Sequence, residues 1–78
     1  MDKNAERYKV ISQNIKKYRK IKNMTQKELS EKVGISLSYL TKIEAEKCNK
    51  TFSLDVLFDI ADVLDIDIKK FFWMTGDK

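Results

Sequence analysis

The sequence predicts an all-α fold of five helices, and three observations predict it. A polar cap residue flanked by an apolar clamp occurs four times: Thr25 with Met24 and Leu29, Ser36 with Ile35 and Leu40, Ser53 with Phe52 and Leu57, and Asp67 with Ile66 and Phe71. In each case the apolar residue before the cap can pack on the fourth helical residue after it, which fixes the direction in which the chain enters the helix. Upstream of these, Tyr8, Ile11, Ile15 and Tyr18 recur at helical spacing. Between the second and third segments stands a single glycine, Gly34, where one helix must stop. Glycine turns left-handed at a helix end without steric cost. Agreement of caps, clamps and periodicity along the chain is what marks a sequence that specifies one fold.

Taken in order, the first helix is expected from about Ala5 to Lys22, with the Tyr8, Ile11, Ile15, Tyr18 stripe inward and Lys9, Lys16, Lys17 and Lys20 facing elsewhere. Asn23 is a tolerable left-handed stop. Thr25 opens the second helix, and Glu28 can reach back to the Thr25 N–H to complete a capping box. Leu29 and Val33 share its inward face. Ser36 opens the third helix, with Leu40 and Ile43 inward. A polar loop, AEKCNKTF, follows. Ser53 caps the fourth helix, whose expected inward positions are Leu54, Leu57, Phe58, Ile60, Ala61 and Leu64. Asp67 caps a short fifth. With no proline in the chain, the stops depend on Gly, Asn and polar clusters. Two short helices joined by a one-glycine turn, Thr25 to Glu44, are the sequence form of a helix-turn-helix.

The run YRKIKNMTQKELSEKVGISLSYLTKIE, continued by SLDVLFDIADVLDIDIKKFF, resembles the helix-turn-helix family of the phage Cro proteins and phage repressors, which includes many small bacterial regulators. The string T-Q-x-E-L-S-x-x-x-G-I-S-x-x-x-L-x-x-I-E carries the resemblance, which covers about residues 10–72. It implies a compact five-helix domain of the lambda-repressor type that binds DNA and usually acts as a dimer. The loop between the third and fourth helices is about two residues longer than is common in the family.

Seventy-eight residues leave room for one small domain with a single core, here expected to be one helix-turn-helix domain over 1–78. Apolar residues make up 42% and charged ones 36%, which is ordinary for a globular chain and unlike a disordered tail. No apolar run approaches the ~20 residues of a membrane span and no signal-peptide core precedes the first helix, so a cytoplasmic protein is expected. One cysteine, Cys48, gives neither an intramolecular disulfide nor a metal cluster, and no histidine means no Ser-His or Cys-His pair. Two glycines do not build a phosphate-cradling loop. Asp55, Asp59 and Asp62 share one helix face, best read as a solvated stripe that favours the helix start. No enzyme, metal, cofactor or small-molecule ligand is expected.

The net charge of +4 is unevenly spread. Residues 1–23 carry eight Lys/Arg against Asp2 and Glu6, whereas residues 51–78 carry three lysines against six aspartates. Such polarity suits an anionic partner. With Leu40 and Ile43 inward, Leu37, Ser38, Thr41, Lys42 and Ala45 share the outer face of the third helix, the face that enters the DNA major groove in this motif. Lys42 can donate to guanine O6 and N7, Ser38 can donate or accept, and Leu37 can meet a thymine methyl. The resemblance implies base reading from Leu37, Ser38 and Lys42, although Leu37 departs from the polar residue common there. Gln26, in the first turn of the second helix, is placed for a phosphate. Tyr39, Lys47, Asn49 and Lys50 are further backbone-contact candidates, and the resemblance assigns phosphate contacts to the loop and the start of the fourth helix. It also implies an ion pair between Arg19 and Glu44, locking the third helix to the first. Ser30 takes a small-residue position where the second and third helices approach.

The apolar tail Phe71, Phe72, Trp73 and Met74 exceeds what a last short helix needs, which points to a dimer contact. The expected function is a dimeric, sequence-specific transcriptional regulator, such as a repressor, reading an inverted-repeat operator in double-stranded DNA. A restriction–modification controller and an antitoxin are the nearest alternatives. A protein-interaction module using the same fold without DNA is the rival from another class.

Overall fold

The computed structural model describes residues 4–45 and 52–73. These form four α-helices, α1 (Ala5–Ile21), α2 (Gln26–Val33), α3 (Leu37–Ile43) and α4 (Leu54–Leu64), followed by one 3-10 helix (Ile68–Phe72). The all-α class holds, but the expected fifth α-helix is a single 3-10 stretch of five residues. Tight i→i+3 winding is the form short terminal pieces adopt.

The caps explain the boundaries. Thr25 Oγ1 accepts from the Glu28 N–H at 3.0 Å, while Glu28 Oε1 accepts from the Thr25 N–H at 2.9 Å. Ser36 Oγ accepts from the Tyr39 N–H at 3.0 Å, and Ser53 Oγ from the Val56 N–H at 3.2 Å. Asp67 Oδ1 takes the Lys69 N–H at 3.0 Å. Gly34 closes α2 at φ +89°, where the Gly34 and Ile35 N–H groups both donate to the Ser30 carbonyl. Among the described residues two that are not glycine also turn left-handed, Asn23 after α1 and Asp65 after α4. Asn and Asp tolerate this conformation better than other residues with a Cβ.

The core is built from Ile11 and Ile15 of α1, Leu29 of α2, Leu40 and Ile43 of α3, Leu57, Ile60, Ala61 and Leu64 of α4, and the flanking Phe52 and Phe71. Met24, Ile35 and Ile66, the residues before three of the caps, are half-buried against it. Tyr8 meets Phe52 edge-on, with ring centroids 5.3 Å apart. Two expectations for α4 are corrected: Leu54 is 59% and Phe58 47% exposed. The buried stripe of α4 follows the spacing 57, 60, 61, 64, which leaves positions 54 and 58 on its flank.

Asn14 ties the ends of the chain together. Buried within α1, its Nδ2 donates to the carbonyls of Phe71 (2.8 Å) and Trp73 (2.6 Å). This satisfies two carbonyl groups at the end of the 3-10 helix and fastens that segment across α1.

Candidate nucleic-acid interface

Helix α3 is two-faced. Leu40 and Ile43 are 0% and 2% exposed, whereas Leu37, Ser38, Thr41, Lys42 and Ala45 all face outward. Ser36 directs the start of the helix by capping it, and the left-handed Gly34 sets the turn before it. Tyr39 is half-buried against the core. The Thr41 hydroxyl donates to the Leu37 carbonyl at 2.9 Å, bonding back onto its own helix. Lys42 is exposed on this face, with its ammonium available as a donor. The face therefore combines an apolar contact at Leu37, a hydroxyl at Ser38 and a cation at Lys42.

Beneath that face lies a buried network. Arg19 Nε donates to Glu44 Oε2 at 2.8 Å and Arg19 Nη2 to Glu44 Oε1 at 2.9 Å, a two-pronged pairing. Arg19 Nη1 reaches the Met24 carbonyl at 2.7 Å. The two side chains are 8% and 1% exposed. One guanidinium thus joins the end of α1, the entry to α2 and the C-cap of α3. Gln26 Nε2 also donates to Glu44 Oε1, at 3.0 Å, and Gln26 Oε1 lies 3.5 Å from the Thr41 hydroxyl. Ser30 is 2% exposed, and its hydroxyl donates to the Lys27 carbonyl. Glu28 in the capping box is held below the usual carboxylate range, chiefly by the Thr25 backbone N–H and then by the Thr25 hydroxyl, with a lesser contribution from Lys32.

Sequence reasoning paired Arg19 with Glu44 but missed the link from Gln26, 18 residues away, and the bond to Met24. Lys47, Cys48, Asn49 and Lys50 lie outside the described residues, as does Met74. At the C-terminal end one candidate is corrected: Phe71 is 0% exposed, a core residue packed near Tyr18, and is not available to a second copy. Asn14 bonds the carbonyls on either side of Phe72, and in the segment so held Phe71 faces inward while Phe72 and Trp73 face outward at 50% and 44% exposure. Phe72 borders a mostly apolar hollow of about 650 Å³, lined by Tyr8, Ile11, Phe52, Leu54 and Leu57 together with the polar Asn4, Glu6 and Arg7. Among the described residues no group of three His, Cys, Asp or Glu side chains could hold a metal ion, and no helix is long and apolar enough to cross a membrane.

Comparison with known proteins agrees with this geometry. The chain is 39% identical over 59 residues to the HTH-type transcriptional regulator SinR of Bacillus subtilis (strain 168), a match covering 76% of this chain and 52% of SinR. It therefore spans about half the length of that relative. A second relative, control protein C.SmaI of Serratia marcescens, is 29% identical over 69 residues, covering 88% of this chain and 80% of C.SmaI. Among solved structures, the N-terminal DNA binding domain of SinR from Bacillus subtilis superposes with a TM-score of 0.76 at 33% identity, over 88% of this chain and 99% of that one. A chain of the SinR protein/SinI protein complex gives a TM-score of 0.71 at 38% identity, over 78% of this chain and 58% of the other. The helix-turn-helix family model matches residues 15–71, from the middle of α1 through the 3-10 helix. The chain belongs to the helix-turn-helix family.

Proposed function

We propose that this protein is a sequence-specific DNA-binding transcriptional regulator that works as a dimer, with α3 of each copy in the major groove of an inverted-repeat operator. The observation that carries this reading is the build of α3: a seven-residue helix, fully anchored on one side, with Leu37, Ser38, Thr41 and Lys42 turned out on the other. Lys42, Ser38 and Leu37 read base edges through a charged donor, a hydroxyl and an apolar contact. Thr41 contributes from the same face. Gln26 and Tyr39 contact phosphate, as do Lys47, Asn49 and Lys50 from the loop. These contacts set register and carry little sequence information. The solved DNA binding domain of SinR supports the reading, because nearly all of that domain superposes on this chain. As a regulator working on DNA the protein acts in the cytoplasm, and its relatives are transcriptional regulators rather than enzymes.

Phe72 and Trp73, with the exposed Leu54 that lines the same hollow as Phe72, supply the contact between copies. This patch belongs to α4 and the 3-10 helix, whereas α3 packs chiefly on α2, so one surface can pair while the other meets DNA. The half-site centres would then lie about one helical turn apart, roughly 34–36 Å. A restriction–modification controller is the second reading, favoured by the 80% coverage of control protein C.SmaI. Selection from a random duplex pool, followed by titration of the winner at several salt concentrations, tests the function. Log K should fall with log salt by about 0.9 for each phosphate neutralised. Failure to enrich any sequence, or an affinity indifferent to salt, would overturn it.

A further inference from the structure

The Glu44 carboxylate receives three donors: Arg19 Nε on Oε2, and Arg19 Nη2 and Gln26 Nε2 on Oε1. A carboxylate can only accept, so it admits the NH₂ end of the Gln26 carboxamide and repels the oxygen. The oxygen is turned to the other side, 3.5 Å from Thr41 Oγ1, whose proton is engaged by the Leu37 carbonyl at 2.9 Å. Reversing the amide would set its oxygen against a charge that is 1% exposed. Charge therefore decides which end of Gln26 faces inward, and one Nε2 hydrogen is left over.

Resting on the DNA reading above, we propose that Glu44 is a positioning residue for the phosphate contact: it orients Gln26 so that this remaining N–H is presented to a DNA phosphate oxygen. A phosphate has only acceptors to offer, so an amide showing its oxygen there would repel it. Arg19 makes the arrangement compatible with an anion by cancelling the Glu44 charge. The contact at the start of α2 is thereby tied to the C-cap of the recognition helix. A base-reading surface and a phosphate grip move as one body.

The test uses the intact chain and the selected duplex. In nitrogen-15 spectra of the free protein, the two Gln26 side-chain amide protons should be separated in shift well beyond the ordinary primary-amide splitting, with one protected from exchange, while the exposed Gln13 shows an ordinary pair. Adding duplex should move the second Gln26 proton. Glu44→Gln should erase the free-state signature and lower duplex affinity roughly tenfold, as loss of a hydrogen bond to a charged group does. In a Gln26→Ala background the same change should cost almost nothing further. An equal loss in both backgrounds, with wild-type DNA binding intact, overturns this inference alone. Gln26 protons that match those of Gln13 in the free wild type also overturn it, and that measurement stands even if Glu44→Gln does not fold. A wild type that binds no duplex overturns it together with the DNA reading.

Discussion

Replacing Arg19 by Met should cost about 3–5 kcal/mol of folding stability, the range for stranding one partner of a buried ion pair. The structure supplies the reason. Arg19 makes three hydrogen bonds, two to Glu44 and one to the Met24 carbonyl. Without it the Glu44 carboxylate, 1% exposed, keeps a single neutral donor from Gln26. A chain of this length has a total stability of about 4–12 kcal/mol, so the variant should lose a large part of it. The midpoint of thermal unfolding should drop by at least about 12 °C, at 4–8 °C per kcal/mol for a small domain. The companion variant Arg19→Met/Glu44→Met separates a stranded charge from lost packing. Replacing both partners with apolar side chains removes the uncompensated charge, and most of the loss should be recovered apart from the unsatisfied Met24 carbonyl. Urea unfolding followed by circular dichroism gives both numbers. A single variant within about 0.5 kcal/mol of wild type, the range of ordinary surface changes, would refute the reasoning. So would a double variant no more stable than the single one.

Four further outcomes are expected. Lys42→Ala should weaken binding to the selected duplex by about 1–3 kcal/mol and relax discrimination at one base pair per half-site, whereas Gln26→Ala should weaken all sequences alike; competition titrations with single-site variants of the duplex tell them apart. Gly34→Ala should destabilise the fold by about 1 kcal/mol in urea titration, because a Cβ at φ +89° is strained although it would meet open space. The Glu28 carboxyl is depressed, so its ionised form favours the native state: its contribution is complete above its usual value of 4.5 and is lost as pH falls through the lower folded value. The stability gap between wild type and Glu28→Gln should therefore narrow on acidification below about pH 4.5, and a gap that ignores pH would contradict the capping-box origin. Phe72→Ala/Trp73→Ala should shift sedimentation equilibrium toward monomer without unfolding the chain, and an unchanged dimer would place the contact elsewhere.

What could be read from the amino acids was what short-range chemistry decides. A cap acts across two or three residues, and Thr25, Ser36, Ser53 and Asp67 each bond to a backbone N–H inside that span. Helix starts were therefore legible without knowing any neighbour. So was the outward face of α3, because two inward apolar residues in a seven-residue helix leave only one other side. Tertiary contact decided the rest. In the run Phe71, Phe72, Trp73 every residue is apolar: the clamp with Ile66 marks Phe71 as inward, but nothing local says how the segment is held against the rest of the chain. Asn14, 57 and 59 residues away from the carbonyls it bonds, holds that segment against α1. Leu54 and Phe58 are as hydrophobic as Leu57, yet they point outward because the direction of burial is set by where α1 and α2 lie against α4. Gln26 reads locally as the first residue of a helix, and only the fold brings it to Glu44, the C-cap of the next one. A hydrogen bond within one turn is written in the spacing of residues, whereas one across the core depends on how whole helices cross, which is settled by the summed burial of every side chain between them.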